Sequence, residues 1–188
     1  MRAYPKGLRF TSNNLDPAPF WRQGVQMVAL NWQYVNEGSM LNQAMFEGTG
    51  GWVLKPEGYR SHHTAASPAA ALDRGTLDLS IEIFAGQNVG PAGKKLKVYI
   101  RCELHMEDSE EEQNGDLPES GQSKEGQMKA RTEVVRGGNS PDFSRQVLSF
   151  NTVPDVAEEL SFVRYVLPLL LFRVSTALAC VSRFSDHL

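Results

Sequence analysis

Thr-Leu-Asp-Leu-Ser-Ile-Glu-Ile, residues 76–83, decides the reading of the larger part of this chain. Leu77, Leu79, Ile81 and Ile83 alternate with Asp78, Ser80 and Glu82. That is the period-2 pattern of a strand with one face in a core. The alternation returns over residues 96–104, where Leu96, Val98, Ile100, Cys102 and Leu104 make one face and Lys97, Tyr99, Arg101 and Glu103 the other. Residues 129–135, 146–150 and 161–166 read as three further strands, the last following a turn at Val153-Pro154-Asp155. Strands at this spacing with loops between them predict an antiparallel β-sandwich over residues 76–166. Residues 107–127 interrupt it. They are strongly acidic and nearly free of large apolar groups, so they cannot offset their ordering entropy, and they read as a loop insertion.

Toward the N-terminus the pattern changes. Residues 61–75 are rich in Ser, Thr, Ala and Pro, bury little, and read as a linker. Before it, Val-Gln-Met-Val-Ala-Leu-Asn-Trp at residues 25–32 is a short apolar run, as expected of a strand buried on both faces in a parallel sheet. Met40, Leu41, Ala44 and Phe46 then recur at helical spacing over residues 39–46, and Gly48, Gly50 and Gly51 end the helix. The expected fold class is therefore mixed: an α/β piece at residues 1–60 followed by an all-β antiparallel domain.

The 19 basic and 22 acidic residues leave a net charge of -3, which gives no chain-wide field for nonspecific nucleic-acid binding. The two cysteines, Cys102 and Cys180, are too few for a disulfide framework and lack metal-ligand spacing, as suits a reducing compartment. Met-Arg-Ala-Tyr-Pro-Lys-Gly at residues 1–7 has no apolar core of a signal peptide. Residues 160–181 are apolar but are interrupted by Arg164, Pro168 and Arg173, and so read as non-spanning.

Two arrangements could carry chemistry. Arg2 and Tyr4 lie two apart, so on an extended strand they share a face, and a guanidinium beside a phenol suits a phosphate. On spacing alone a surface Arg beside a packed Tyr is the better reading. His62-His63 sit next to each other in the linker without partners and read as solvated.

Context sharpens the first of these. Tyr4-Pro5-Lys6-Gly7-Leu8-Arg9, Ser12-Asn13-Asn14, Asp16-Pro17, Phe20-Trp21, Gly24, Gln26-Met27-Val28-Ala29-Leu30-Asn31 and Gln33 resemble the last part of the Y-box of phosphoinositide-specific phospholipase C. Leu41-Asn42-Gln43, Phe46, Gly50-Gly51 and Val53-Leu54-Lys55-Pro56 continue in the same order. Residues 76–166 resemble the C2 domain that follows the barrel in this family, most clearly at Glu159-Leu160-Ser161-Phe162-Val163-Arg164-Tyr165-Val166. The acidic insertion and Lys129-Ala130-Arg131-Thr132 look most like fungal, delta-like members, and residues 167–188 resemble nothing in the family.

The resemblance implies the end of a TIM-type barrel, a linker, and an incomplete C2-type sandwich. It implies hydrolysis of phosphatidylinositol 4,5-bisphosphate to diacylglycerol and inositol trisphosphate by a cytoplasmic, peripherally membrane-associated enzyme. Arg2 matches an arginine that binds a substrate phosphate, Tyr4 a tyrosine that packs on the inositol ring, and Leu8 a position on the apolar ridge that dips into the membrane. The Ca²⁺ ion and two acid/base histidines of the full-length enzyme belong to the X half, so no catalytic residue and no metal ligand is assigned here. Gly90-Pro91-Ala92-Gly93-Lys94-Lys95-Leu96-Lys97 carries lysines where a calcium-binding C2 loop needs acids. The alternative is a noncatalytic C2-like module that binds membrane or protein. Two strands cannot close a barrel, so the first segment is expected to expose apolar faces.

Overall fold

The computed structural model describes residues 1–5, 13–60, 73–91, 93–106, 128–168 and 177–183. Leu8, His62-His63, most of the linker and the acidic stretch 107–127 lie outside the described residues. The described structure is mostly sheet with few helices.

The first segment opens with β1 (Arg2–Ala3), which pairs in parallel with β2 (Met27–Val28). Between them lies the short helix α1 (Ala18–Arg22), whose first amide, that of Ala18, donates to Asp16 Oδ1 at 2.9 Å. The expected doubly buried strand over 25–32 is not what forms. Only two residues are extended, and Met27 and Trp32 are 51% and 79% exposed. Among the described residues β1 is the one ladder partner of β2, so no second neighbour or covering layer buries the rest of the run. Trp52 and Leu54 are exposed in the same segment.

Helix α2 (Glu37–Phe46) starts two residues before its expected position because Asn36 caps it. The Asn36 side chain accepts from the Ser39 amide at 3.3 Å, and Ser39 Oγ accepts from the Asn36 amide at 2.9 Å, a reciprocal capping box. Gly38 lets this helix start lie on the backbone of Leu15; a Cβ there would stand 2.2 Å from the Leu15 carbonyl oxygen. Buried Asn14 fastens the loop before α2: its Nδ2 donates to the Tyr34 carbonyl at 2.7 Å, and its Oδ1 accepts from the Asn31 amide.

The second part is built from antiparallel pairs. β3 (Gly75–Ala85) pairs with β8 (Asp142–Val156), and both run further than the alternation indicated. A separate four-stranded sheet has the order β10-β9-β5-β6, formed by β5 (Arg101–His105), β6 (Met128–Arg131), β9 (Phe162–Pro168) and β10 (Ala177–Arg183). β10 hydrogen-bonds along the whole of β9, so sheet structure continues past residue 166.

Two expected single strands are each broken. Residues 96–104 divide into β4 (Leu96–Val98) and β5, and residues 129–135 into β6 and β7 (Val135–Gly137). β4 pairs with β7, whereas β5 pairs with β6 and β9. The cause is a two-point contact across the breaks: the Thr132 amide donates to the Ile100 carbonyl, and Thr132 Oγ1 accepts from the Ile100 amide, both at 2.9 Å. Both chains therefore change sheet at one place. Val153-Pro154-Asp155 is likewise no free turn but the irregular end of β8. Thr152 and Asp155 take φ of 52° and 63° there, and the Thr152 amide donates to Asp78 Oδ1.

The two sheets face each other across Leu77, Leu79, Ile81 and Ile83 of β3, Leu148 and Phe150 of β8, Cys102 and Leu104 of β5, and Val163 of β9. The other face of β5 and β9 is covered too. Phe162 joins Trp21, Leu41, Ala44, Met45 and Tyr59 in one core, so the β5–β9 sheet is a middle layer between the β3–β8 pair and the helices of the first segment.

Candidate functional site

Arg2 and Tyr4 stand on and just after β1. Both are exposed and flank the half-buried Ala3. Among the described residues the strand is held from one side: the Gln26 amide donates to the Met1 carbonyl and the Ala29 amide to the Ala3 carbonyl, and the Met1 ammonium donates to Gln26 Oε1 at 2.8 Å. The pair thus presents a guanidinium and a phenol to solvent from a backbone whose register is set by β2. Such a pair can hold a phosphate and cover one face of a ring. Lys94, Lys95 and Lys97 are also exposed.

The charged centre of the molecule lies elsewhere and was not foreseen. Residues 101 and 103 read as the solvent face of a strand, yet Glu103 is 3% exposed because α2 covers that face. Glu103 stands directly across from Arg164 on β9. The Arg164 guanidinium reaches Glu103 Oε2 at 2.8 Å and also pairs with Glu37 of α2, while Arg101 Nε lies 2.7 Å from Glu103 Oε1. Buried His105 completes the group, with Nδ1 3.5 Å from Glu37 and Nε2 3.8 Å from Glu103. The Arg22 guanidinium adds a bond to the Leu160 carbonyl at 3.3 Å. This cluster joins the first segment to the sheet.

Burial opposes the ionisation of Glu103, but its hydrogen bond to His105 and the charges of Arg164, Arg101 and His105 outweigh that and hold the carboxyl below its ordinary value. A depressed carboxyl adds stability that is fully present above the unfolded glutamate value of ~4.3 and is lost as pH falls through the folded value. Thermal midpoints are thus expected to drop on acidification below about pH 4. Glu103→Gln is expected to melt lower at neutral pH and to show a flatter acid limb. An unchanged acid limb in that variant would remove Glu103 from the linkage.

Burial pushes the Asp16 carboxyl up, against the pull of the Ala18 amide and Arg22. Burial, with the nearby Glu103 charge, also pushes the Cys102 thiol up to about 12, so it is an inert core group. Among the described residues no group of three or more His, Cys, Asp or Glu could hold a metal ion, and no helix is long and apolar enough to cross a membrane.

An exposed Arg-Tyr pair on a parallel strand pair thus stands in the segment that precedes the stacked antiparallel sheets. Residues 1–58 match the family described as phosphatidylinositol-specific phospholipase C, Y domain. Among curated relatives it is 28% identical over 184 residues to 1-phosphatidylinositol 4,5-bisphosphate phosphodiesterase 1 of Candida albicans, covering 88% of this chain and 17% of that protein. It is 33% identical over 129 residues to the Saccharomyces cerevisiae protein of the same name, covering 57% of this chain and 15% of the other. The solved structure of S. officinalis PLC21 superposes with a TM-score of 0.69 at 25% identity, over 98% of this chain and 22% of that one. The chain therefore spans less than a fifth of the length of the curated relatives named here.

Proposed function

We propose that residues 1–60 are the closing part of a phosphoinositide phospholipase C barrel and that residues 76–166 form a C2-type sandwich. The whole enzyme hydrolyses phosphatidylinositol 4,5-bisphosphate to diacylglycerol and inositol trisphosphate at the cytoplasmic face of a membrane. The Y-domain match over residues 1–58 carries this reading. The exposed apolar run around Met27 and Trp32 supports it, since a parallel strand of that composition requires further strands beside it.

In this reading Arg2 binds a substrate phosphate through its fork of donors, Tyr4 packs on the inositol ring, and Leu8 meets the bilayer. The resemblance assigns calcium and the acid/base histidines to the X half. By the same resemblance, the part of residues 1–60 is to position substrate.

A chimera tests this. The Candida albicans relative, carrying residues 1–58 of this chain in place of its matching segment, is expected to hydrolyse phosphatidylinositol 4,5-bisphosphate. Arg2→Ala within it is expected to lower kcat/KM by about 10- to 100-fold, the loss of one charge-assisted contact. An active chimera indifferent to Arg2→Ala would overturn the assignment.

A further inference from the structure

Asn14 is 3% exposed, and an amide side chain buried that deeply needs partners at both of its ends. It finds them on one stretch of chain. Asn14 Nδ2 donates to the Asn31 carbonyl at 3.1 Å and to the Tyr34 carbonyl at 2.7 Å, and Asn14 Oδ1 accepts from the Asn31 amide. Asn31 is thus held at both its N–H and its C=O, the two groups by which a residue joins a β-ladder. A further contact, from Nδ2 to Asn36 Oδ1 at 3.1 Å, is returned by Asn36 Nδ2, which donates to the Asn14 carbonyl at 3.2 Å. Asn36 caps α2, so the whole arrangement is anchored on a helix end.

The run that Asn14 holds is the run on which β1 lies. Arg2 stands opposite Met27 and Ala3 opposite Val28, and the Ala29 amide donates to the Ala3 carbonyl. Two rungs make a marginal ladder, and among the described residues β1 has no other strand beside it. So short a ladder does little to fix its own register, yet a slip of one residue would turn Arg2 and Tyr4 to the opposite face. The partner run is held still at its far end, where Asn31, two residues past Ala29, is bound to Asn14. Asn31 also closes the turn that ends the run, its carbonyl accepting from the Tyr34 amide at 3.2 Å.

We propose that Asn14 is a positioning residue for the phosphate-binding pair: by clamping Asn31 to the capped start of α2, it fixes the run against which β1 sets Arg2 and Tyr4. The proposal rests on the reading of Arg2 and Tyr4 as substrate-binding residues, and its tests separate the two.

In the 188-residue chain, Asn14→Ser is expected to speed hydrogen exchange of the Gln26 and Ala29 amides, the two that donate to β1. The expected acceleration is about tenfold or more, the effect of several hydrogen bonds lost from a local opening equilibrium. Exchange in β3 and β8 is expected to match the parent. Unchanged exchange at Gln26 and Ala29 would overturn the proposal, and so would equal acceleration in β3 and β8, which would make Asn14 a support of the whole fold.

In the Candida albicans chimera, Asn14→Ser is expected to raise KM about tenfold with kcat within about twofold, the pattern of a lost binding contact. A merely destabilised enzyme would show a lower kcat from its smaller folded fraction. In a chimera already carrying Arg2→Ala and Tyr4→Ala, the same substitution is expected to change kcat/KM by less than about twofold, because residues that act through one another do not add. Losses that multiply in an Arg2-dependent chimera would overturn the role of Asn14 and leave the reading of Arg2 and Tyr4 in place. A chimera indifferent to Arg2→Ala would remove that reading, and the role of Asn14 with it.

Discussion

Arg164→Met is expected to destabilise the chain by about 3 kcal/mol or more, read as a lowered midpoint of urea unfolding. Arg164 is the cation shared between Glu37 on α2 and Glu103 on β5. Removing it leaves Glu103 buried with Arg101 and His105 alone, and a buried charge that loses its partner costs ~3–5 kcal/mol. Because Arg101 remains, the lower end of that range applies. Adding Glu103→Leu is expected to restore most of the loss, since removing both members of a buried pair avoids the stranded charge. Arg164→Lys is expected to fall between the parent and the methionine variant, because an ammonium cannot reproduce the fork that reaches both carboxylates. A loss below about 0.5 kcal/mol in Arg164→Met would mean that the cluster behaves as a hydrated surface pair.

Strands and helix were legible where the local pattern is also what decides the structure. The alternation of Leu77, Leu79, Ile81 and Ile83 points one face of β3 to the core whatever its neighbours. Helix α2 announced itself by Leu41 and Ala44 and by the glycines that end it at positive φ. The breaks were not legible. Alternation runs unbroken from Leu96 to Leu104, and nothing local marks Ile100 as the point where the chain leaves one sheet for another. That is set by Thr132, which lies 32 residues away. The strand at 25–32 failed for a related reason: apolar composition shows what a run would bury against, not whether the neighbours are there.

The site divides in the same way. Arg2 and Tyr4 were singled out through a linear motif, and the structure places both in solvent on and just after β1. The ion cluster has no linear signal, being drawn from Glu37, Glu103, His105 and Arg164 on three separate elements. Glu103 even looked like a solvent-facing residue, because period-2 reasoning assumes that one side of a strand is wet. Here α2 covers that side, and the alternation records which layer each residue meets, not whether it meets water.

Phe162 links these observations, and Phe162→Ala is expected to cost about 3–5 kcal/mol as a large-to-small change at a fully buried position. Its ring packs on Trp21 with centroids 6.0 Å apart and shares a core with Leu41, Ala44 and Met45 of α2, so the cavity would open between the first segment and the sheet. Phe143→Ala removes an equally buried ring, but from the separate cluster of Val89, Leu96 and Val98. The two variants should therefore lose similar stability in different places. Amide exchange is expected to speed up chiefly in α2 for Phe162→Ala and chiefly in β4 and β7 for Phe143→Ala, because local opening follows the packing that was removed. Equal acceleration of α2 in both variants would mean that the layers open as one unit, and that the joint between the first segment and the sheets has no stability of its own for Arg164 and Phe162 to supply.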